Sequence, residues 1–386
     1  MPLTRRSFTQ ALAVGAGSLA LGGCATAPLG EPTLDQLARA KGLRFGSTLG
    51  SLGRASRFHD LPYRELTARE CSVLVAENET KWQQLRPDPT KPYDFAPADE
   101  MFTWAKGQGM ALRGHTLLWL DSKWLPAWVN ALNYGAQDGD AARRVLTEHI
   151  RTTCGHFGNS IESWDVVNEA ITPETGEMRR NVFSAPLGGV EQIDFAFRLA
   201  REHAPKARLV YNDFMNWGAG SARHRAGVLK LLAELKRRGT PVQALGLQAH
   251  IGFWDKPGAP RAAGDANDWR SFLDEVMAMD LDLLITEFDV NDKGLPSDIA
   301  QRDAGVAAEA RDWLDVTLAA PRLHRFLCWG LSDRHSWLQD FDPRADGMPK
   351  RVLPYDADLR PKPLRAAIAD ALRAMPARPP QDLGRA

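Results

Sequence analysis

The segment SWDVVNEA, residues 163–170, decides the fold because it begins as a buried strand and ends on an amide beside a carboxylic acid. Trp164, Val166 and Val167 are bulky and apolar, as in a strand that is covered on both faces. Asn168 and Glu169 follow them directly. Polar side chains at the end of a buried strand are expected where parallel strands open into a shared cleft.

The pattern of that segment recurs along the chain, where short apolar runs alternate with longer stretches of helical hydrophobic spacing. This alternation predicts an α/β protein with a parallel sheet, and eight units predict a single closed (β/α)8 TIM barrel. An open doubly wound sheet is the alternative, but no G-x-G-x-x-G or P-loop follows the first strand. The predicted strands are 45–50, 73–79, 112–119, 163–170, 208–214, 245–251, 283–290 and 326–333; the predicted helices include 97–107, 140–157, 190–203, 222–238, 268–279, 298–318 and 363–374.

The composition fits one large neutral domain. A chain of 386 residues with 44% hydrophobic content can bury a single large core. Lys plus Arg and Asp plus Glu number 48 each, so no net charge attracts nucleic acid, and none is predicted as a partner. Twelve Trp against five Tyr supply flat apolar faces of the kind that stack on sugars, although most of them are expected in the core. We expect a monomer.

The first residues, 1–27, have the features of an export signal. Arg5 and Arg6 precede an apolar run over residues 11–21 and resemble a twin-arginine signal. The motif LGGC (21–24) resembles a lipobox, which would place a lipid anchor on Cys24; soluble cleavage after ATA (25–27) is the alternative. We therefore expect a periplasmic, membrane-anchored or secreted protein with a catalytic domain over 32–375 and a disordered Pro-rich tail over 376–386.

The remaining cysteines are Cys71, Cys154 and Cys328. Their number is odd and their spacing fits no metal site, so we predict buried thiols and no disulfide framework.

The ends of the predicted strands carry two glutamates, Glu169 and Glu287, on the fourth and seventh strands. Cleavage of a glycosidic bond needs one carboxyl group to protonate the leaving oxygen and a second to attack or stabilise the anomeric carbon. The attacking group must be ionised, whereas the acid needs a raised pKa. His250 could donate to Glu287, and Asn168 could donate its amide to a substrate hydroxyl.

The same residues suggest two other chemistries. Metal-assisted hydrolysis could recruit His115, His250, Asp213 and Asp289, but no H-x-H, H-E-x-x-H or dense cluster is present, so no metal is predicted. A serine nucleophile is disfavoured because the chain has no G-x-S-x-G elbow.

Eight stretches, in order along almost the whole mature chain, resemble glycoside hydrolase family 10, the endo-β-1,4-xylanases. These stretches are ENETKW (77–82), RGHTLLW (113–119), WDVVNEA (164–170), YND (211–213), LGLQAH (245–250), ITEFDV (285–290), WGLSDRHSWL (329–338) and YDADLRPKP (355–363). The resemblance implies a retaining endo-β-1,4-xylanase that needs no cofactor, acting on xylan or xylo-oligosaccharides.

The resemblance also implies a role for each matching residue. Glu169 matches the acid/base, Glu287 the nucleophile and Asn168 the amide that holds the 2-hydroxyl of the sugar under attack. His250 would orient Glu287, with Asp289 behind it. Further matches bind sugars or wall the site: Glu77, Asn78, Lys81, His115, Trp119, Gln248, Trp329 and Trp337.

The chain departs from the family after Trp119. Leu120 stands where the family has a second His, and Ser122 or Lys123 lies near the position of its Gln. Trp124 could compensate by stacking or could serve to fold the loop. Two alternatives to xylan hydrolysis remain: a non-catalytic surface barrel that binds sugars, and the same retaining machinery acting on another β-glycoside.

Overall fold

The computed structural model describes residues 31–52, 56–134, 139–254 and 265–381. The described residues from Thr33 onward belong to one compact unit. The predicted export signal and Cys24 lie outside the described residues. Within the described part of the chain, no helix is both long and apolar enough to cross a membrane.

Parallel strands close into a barrel. From β1 to β6 each strand pairs with the next in the chain, β6 pairs with β8, β8 with β9, and β9 with β1. This is the predicted (β/α)8 barrel, and the prediction is confirmed. The strands are β1 (Arg44–Leu49), β2 (Val73–Ala76), β3 (Ala111–Trp119), β4 (Ile161–Asn168), β5 (Arg208–Asp213), β6 (Ala244–Leu247), β7 (His250–Gly252), β8 (Asp282–Asn291) and β9 (Leu323–Cys328).

Helices follow the strands, and α1, α2, α10 and α11, whose bounds are given below, begin at capping side chains. Asp298 accepts from the Gln301 backbone N–H at 2.9 Å, and Asp265 accepts from two N–H groups of its helix, because the first turn leaves donors without intrahelical partners. The helices are α1 (Leu34–Arg39), α2 (Leu61–Glu70), α3 (Trp82–Leu85), α4 (Ala96–Gly107), α5 (Ala127–Asn130), α6 (Gly139–Phe157), α7 (Ser184–Leu187), α8 (Gly189–His203), α9 (Ala222–Arg237), α10 (Ala266–Ala278), α11 (Ile299–Thr317), α12 (Leu338–Phe341) and α13 (Pro363–Ala374). Single 3-10 turns lie at Arg57–His59, Ser122–Trp124, Gly158–Ser160, Ala219–Ser221 and Asp333–His335.

The core has two layers because strand side chains alternate between the two faces of the sheet. One face packs under the helices, where Trp164 of β4 and Trp313 of α11 belong to the same core cluster. Alternate residues of the same strands form small separate clusters, one of Val73, Val75, Leu327 and Trp329 and another of Val210, Ala244 and Leu284. These clusters fill the barrel, so the polar ends of its strands are supported from below.

The prediction of one continuous sixth strand over 245–251 is wrong. The chain leaves the barrel at Leu247, and Ala249 has a positive φ of 61° that a regular strand cannot contain. The backbone N–H of Gln248 donates to the Asp213 carbonyl at 3.0 Å, and β7 then pairs with the far end of β8, His250 opposite Asp289. β6 pairs with both β5 and β8, whereas after the break β7 continues along β8.

The predicted disorder from residue 376 does not extend to residues 376–381. The guanidinium of Arg378 donates to the carbonyls of Leu318, Ala320 and Leu323, which fixes this stretch at the base of the barrel. Residues 382–386 lie outside the described residues. Cys71, Cys154 and Cys328 are buried free thiols, as predicted.

Candidate active site

A cleft of about 500 Å³ opens at the carboxyl ends of the strands. Every residue predicted from sequence to act on a sugar lines it. These residues are Glu77, Asn78, Lys81, His115, Trp119, Asn168, Glu169, Gln248, His250, Glu287, Trp329 and Trp337. The barrel therefore brings together side chains that lie up to 260 positions apart, since residues 77 and 337 face the same space.

Glu169 lies just past the end of β4. Its backbone N–H donates to the Asn212 carbonyl at 2.9 Å, and its Oε1 accepts from Gln248 Nε2 at 3.0 Å. Burial raises the pKa of the Glu169 carboxyl, and the negative charge of Asp213 raises it further, whereas the Gln248 hydrogen bond opposes the shift. The result favours a carboxyl group that keeps its proton, as a general acid requires.

Glu287 lies within β8 and is only 5% exposed. Its Oε1 accepts from Asn212 Nδ2 at 2.7 Å, and its Oε2 lies 3.3 Å from His250 Nε2. Burial alone would raise the pKa of Glu287, but the charges of His115 and His250 and the two hydrogen bonds outweigh it and lower the pKa to about 2. This carboxylate is therefore ionised at neutral pH, as a nucleophile requires.

A chain of hydrogen bonds joins the two glutamates. Gln248 Nε2, which contacts Glu169, also donates to Asn168 Oδ1 at 3.2 Å. Asn212 Nδ2, which contacts Glu287, donates to the same Asn168 oxygen at 2.9 Å. Asn168 is fully buried and its Nδ2 has no hydrogen-bond partner among the described residues. A buried amide donor in this position is available to a substrate hydroxyl.

His250 is held between two carboxylates. Its Nδ1 lies 3.0 Å from Asp289 Oδ1, and its Nε2 faces Glu287. Trp337 Nε1 donates to the other Asp289 oxygen at 2.8 Å. Although burial acts to lower it, the pKa of His250 is raised to about 10 by Asp289 and Glu287, so the ring is cationic at neutral pH.

We expect His250→Asn to move the acidic limb of the pH profile of kcat/KM to higher pH. The substitution removes a cation beside Glu287, so the pKa of Glu287 rises and its ionised form begins to fail at a less acidic pH. The measurement is the pH profile on a xylo-oligosaccharide. His156→Asn, an exposed histidine that pairs with Asp99 on the outer helices, serves as the control. An unmoved limb in His250→Asn would contradict the electrostatic role.

His115 is fixed from behind by a buried acid. Its Nδ1 lies 3.0 Å from Asp165 Oδ2, and Arg113 donates to the other Asp165 oxygen at 2.6 Å. His115 Nδ1 is also 3.9 Å from Glu287 Oε1. The arrangement holds the imidazole at the floor of the cleft, against the ring of Trp329 at 5.4 Å between centroids.

Lys81 is a buried cation on the β2 side of the cleft. Its Nζ donates to Asn78 Oδ1 at 3.0 Å and lies 4.9 Å from the Trp119 ring centroid. Burial lowers the pKa of Lys81 to about 8, opposed by Glu287 and Glu169. Glu77 beside it forms an ion pair with Arg57. The β2 side therefore offers several charged or polar groups to hydroxyls.

Aromatic side chains wall the cleft, and some were not predicted. Trp124 stacks on Trp119 with ring centroids 4.8 Å apart, so the loop that departs from the family adds an aromatic surface. Phe341 is 60% exposed and packs on Trp337. The lining residues that the predicted site lacked are Lys123, Trp124, Phe214, Asn216, Trp254 and Phe341. Asn212 lies in the middle of the YND stretch, and its sequence position does not reveal that its amide contacts both Glu287 and Asn168.

The side chains considered for a metal have other partners. Asp213 contacts Tyr211 and His224, and His115 contacts Asp165. Across the described ranges, no group of three His, Cys, Asp or Glu side chains is arranged to hold a metal ion.

A (β/α)8 barrel that sets one ionised glutamate and one glutamate of raised pKa in a single sugar-sized cleft is the active site of a glycoside hydrolase. Residues 33–371 match the model of glycosyl hydrolase family 10, and the chain belongs to that family.

Characterised relatives and solved structures agree with this assignment. The chain is 32% identical over 311 residues to a beta-1,4-xylanase of Dictyoglomus thermophilum, covering 78% of this chain and 82% of that protein. It is similar to native xylanase 10B of Thermotoga maritima, with a TM-score of 0.76, 29% identity and coverage of 88% and 98%. Xylanase 10B of Thermotoga petrophila RKU-1, solved with xylobiose, gives a TM-score of 0.77 at 28% identity, covering 89% and 98%.

Proposed function

We propose that the protein is a retaining endo-β-1,4-xylanase that cleaves internal bonds of xylan by double displacement. The observation that carries the proposal is the pair of glutamates with opposite pKa shifts, joined through Asn168, Asn212 and Gln248 in one cleft. Relatives named as xylanases, and a neighbour solved with xylobiose, support xylan as the substrate.

The mechanism assigns a task to each member of the pair. Glu287 attacks the anomeric carbon while Glu169 gives its proton to the leaving oxygen, which forms a glycosyl ester on Glu287. Glu169, now ionised, takes a proton from water, which attacks the same carbon and releases the sugar with its original β configuration. Asn168 Nδ2 holds the 2-hydroxyl through both steps, and this contact strengthens in the transition state.

The xylanase proposal predicts the products of xylan digestion. We expect a rapid fall in polymer length with release of xylo-oligosaccharides, because the cleft is open at the barrel rim and lined by sugar-binding side chains beyond the two glutamates. Chromatography of products from xylan, cellulose and small β-glycosides makes the measurement. Preference for cellulose or an aryl glycoside would contradict the xylan assignment, and absence of new reducing ends from every substrate would support a sugar-binding barrel instead.

We further propose that the protein is exported by the twin-arginine route, from Arg5, Arg6 and the apolar run that follows. An acylated Cys24 and a start at Pro28 are the two alternative mature ends. The mass of the mature protein distinguishes them, and an uncleaved Met1 on exported material would contradict both.

A further inference from the structure

The backbone at Glu169 has a conformation that its neighbours must enforce. Glu169 has a φ of 54°, in the left-handed region that side chains with a Cβ disfavour. Two backbone N–H groups fix it there. The Glu169 N–H donates to the Asn212 carbonyl at 2.9 Å, and the Ala170 N–H donates to the Tyr211 hydroxyl at 3.1 Å.

The second of these acceptors is a side chain, and it is itself held. Tyr211 is fully buried on β5, and its hydroxyl donates to Asp213 Oδ2. The other Asp213 oxygen accepts from the Phe214 backbone N–H at 2.8 Å and lies 3.0 Å from His224 Nε2, which α9 supplies. The Tyr211 hydroxyl therefore has one orientation, with its proton toward Asp213 and a lone pair toward Ala170.

These side chains act from behind the cleft. Neither Tyr211, Asp213 nor His224 lines it, and all are 1% exposed or less, so none can contact a sugar. Packing alone would be served equally by a phenylalanine at position 211. The Tyr211 hydroxyl is hydrogen-bonded on both sides and lies beside Glu169, whose backbone is strained. It is therefore suited to holding the backbone of Glu169 in place.

We infer that Tyr211, oriented by Asp213 and His224, is a positioning residue that holds the proton donor Glu169 against the leaving oxygen; the inference rests on the proposed function of Glu169. The effect is transmitted through the Ala170 N–H, the next peptide group after Glu169. Loss of the hydroxyl frees that peptide group and lets the carboxyl group move, and a displacement near 1 Å is enough to impair proton transfer.

In Tyr211→Phe, two substrates with different leaving groups distinguish a loss of positioning of Glu169 from a general loss of stability. A phenyl β-xylobioside needs its leaving oxygen protonated, whereas a dinitrophenyl β-xylobioside leaves readily without help. We expect kcat/KM on the phenyl substrate to fall by about tenfold or more and kcat/KM on the dinitrophenyl substrate to change by less than about twofold. Equal losses on both substrates, or no loss on either, would overturn the inference.

Tyr63→Phe is the matched control. Tyr63 is fully buried as well, and its hydroxyl accepts from the Leu331 backbone N–H at 2.9 Å. This variant loses a hydrogen bond of the same kind away from Glu169, so the ratio between the two substrates should stay at the wild-type value. Glu169→Ala, measured in parallel, should show the largest leaving-group effect, which is the difference between the losses of kcat/KM on the phenyl and dinitrophenyl substrates. If Glu169→Ala lacks it, the proposed acid is wrong; if only Tyr211→Phe lacks it, the positioning role alone is wrong.

Asp213→Asn provides a second test if Tyr211→Phe does not fold. The charged groups that face Glu169 are Asp213, Glu287 and Lys81. Asp213→Asn removes one negative charge, so the pKa of Glu169 falls and the carboxyl group loses its proton at lower pH. The alkaline limb of kcat/KM on the phenyl substrate should then move to lower pH. At the pH optimum of this variant kcat/KM on the phenyl substrate should still fall more than kcat/KM on the dinitrophenyl substrate, because the amide is a weaker acceptor for the Tyr211 hydroxyl. Equal losses on both substrates would overturn the inference.

Discussion

Glu287→Gln is expected to lower turnover of xylan by about 10,000-fold, because the amide cannot form the glycosyl ester and no nearby group replaces it. The fold should survive, since Gln keeps the shape of Glu and its amide oxygen can still accept from Asn212 Nδ2. Binding of xylo-oligosaccharides should persist, because Lys81, Asn78 and the tryptophan walls are unchanged. Steady-state rates and calorimetric titration with a xylo-oligosaccharide make the two measurements.

The control for this variant is a buried glutamate outside the cleft. Glu309 on α11 is 3% exposed and accepts from Trp217 Nε1 at 3.2 Å. Glu309→Gln makes the same change of a buried carboxyl group to an amide, but turnover should remain near the wild-type value. Turnover of Glu287→Gln within about tenfold of wild type would contradict the role of Glu287 as nucleophile.

Glu169→Ala is expected to have a large effect that depends on the substrate. On xylan, whose leaving oxygen needs a proton, kcat/KM should fall by about 100-fold to 10,000-fold. On a dinitrophenyl β-xylobioside kcat/KM should be nearly retained, while kcat should fall because no base remains to activate water for the second step. Azide, which needs no base, should restore kcat and give a β-xylobiosyl azide.

The azide product makes this prediction specific. Attack on an ester of Glu287 from the face opposite to that ester restores the β configuration, so an α-azide would exclude the double displacement. Glu309→Gln should give no azide product. Equal losses of kcat/KM on xylan and on the dinitrophenyl substrate would contradict the assignment of Glu169 as acid.

The barrel could be predicted because apolar residues recur with a different period in strands and in helices. The helix predicted over 363–374 occurs as Pro363–Ala374, and the strand predicted over 112–119 as Ala111–Trp119. The sixth strand could not be predicted, because its period of two continues through Gln248 and Ala249. What interrupts it is tertiary: Gln248 pairs with β5, and the chain beyond Ala249 pairs with β8.

The residues of the site could be predicted from their places at strand ends, but the hydrogen bonds between them could not. Asn212 precedes an equally polar Asp213, and only the folded barrel shows that one amide contacts Glu287 and Asn168 together. Trp254 lies beyond the end of β7, and Phe341 is the last residue of the four-residue helix α12. Both stretches are too short for their hydrophobic period to show which side chain reaches the cleft. The opposite pKa shifts of Glu169 and Glu287 likewise depend on neighbours that are distant in sequence.

The claim that Glu287 forms a covalent bond to the sugar is tested most directly by trapping. A dinitrophenyl xylobioside with fluorine in place of the 2-hydroxyl should glycosylate Glu287, with loss of dinitrophenolate, faster than water can release the sugar. The fluorine slows both steps, but the dinitrophenolate leaving group keeps the first one fast. Mass spectrometry of the digested protein should then place one added fluoro-xylobiosyl group on the peptide that contains Glu287, and none in Glu287→Gln. A label on Glu169 or elsewhere, or rapid turnover with release of the inverted α sugar and no label, would contradict the account.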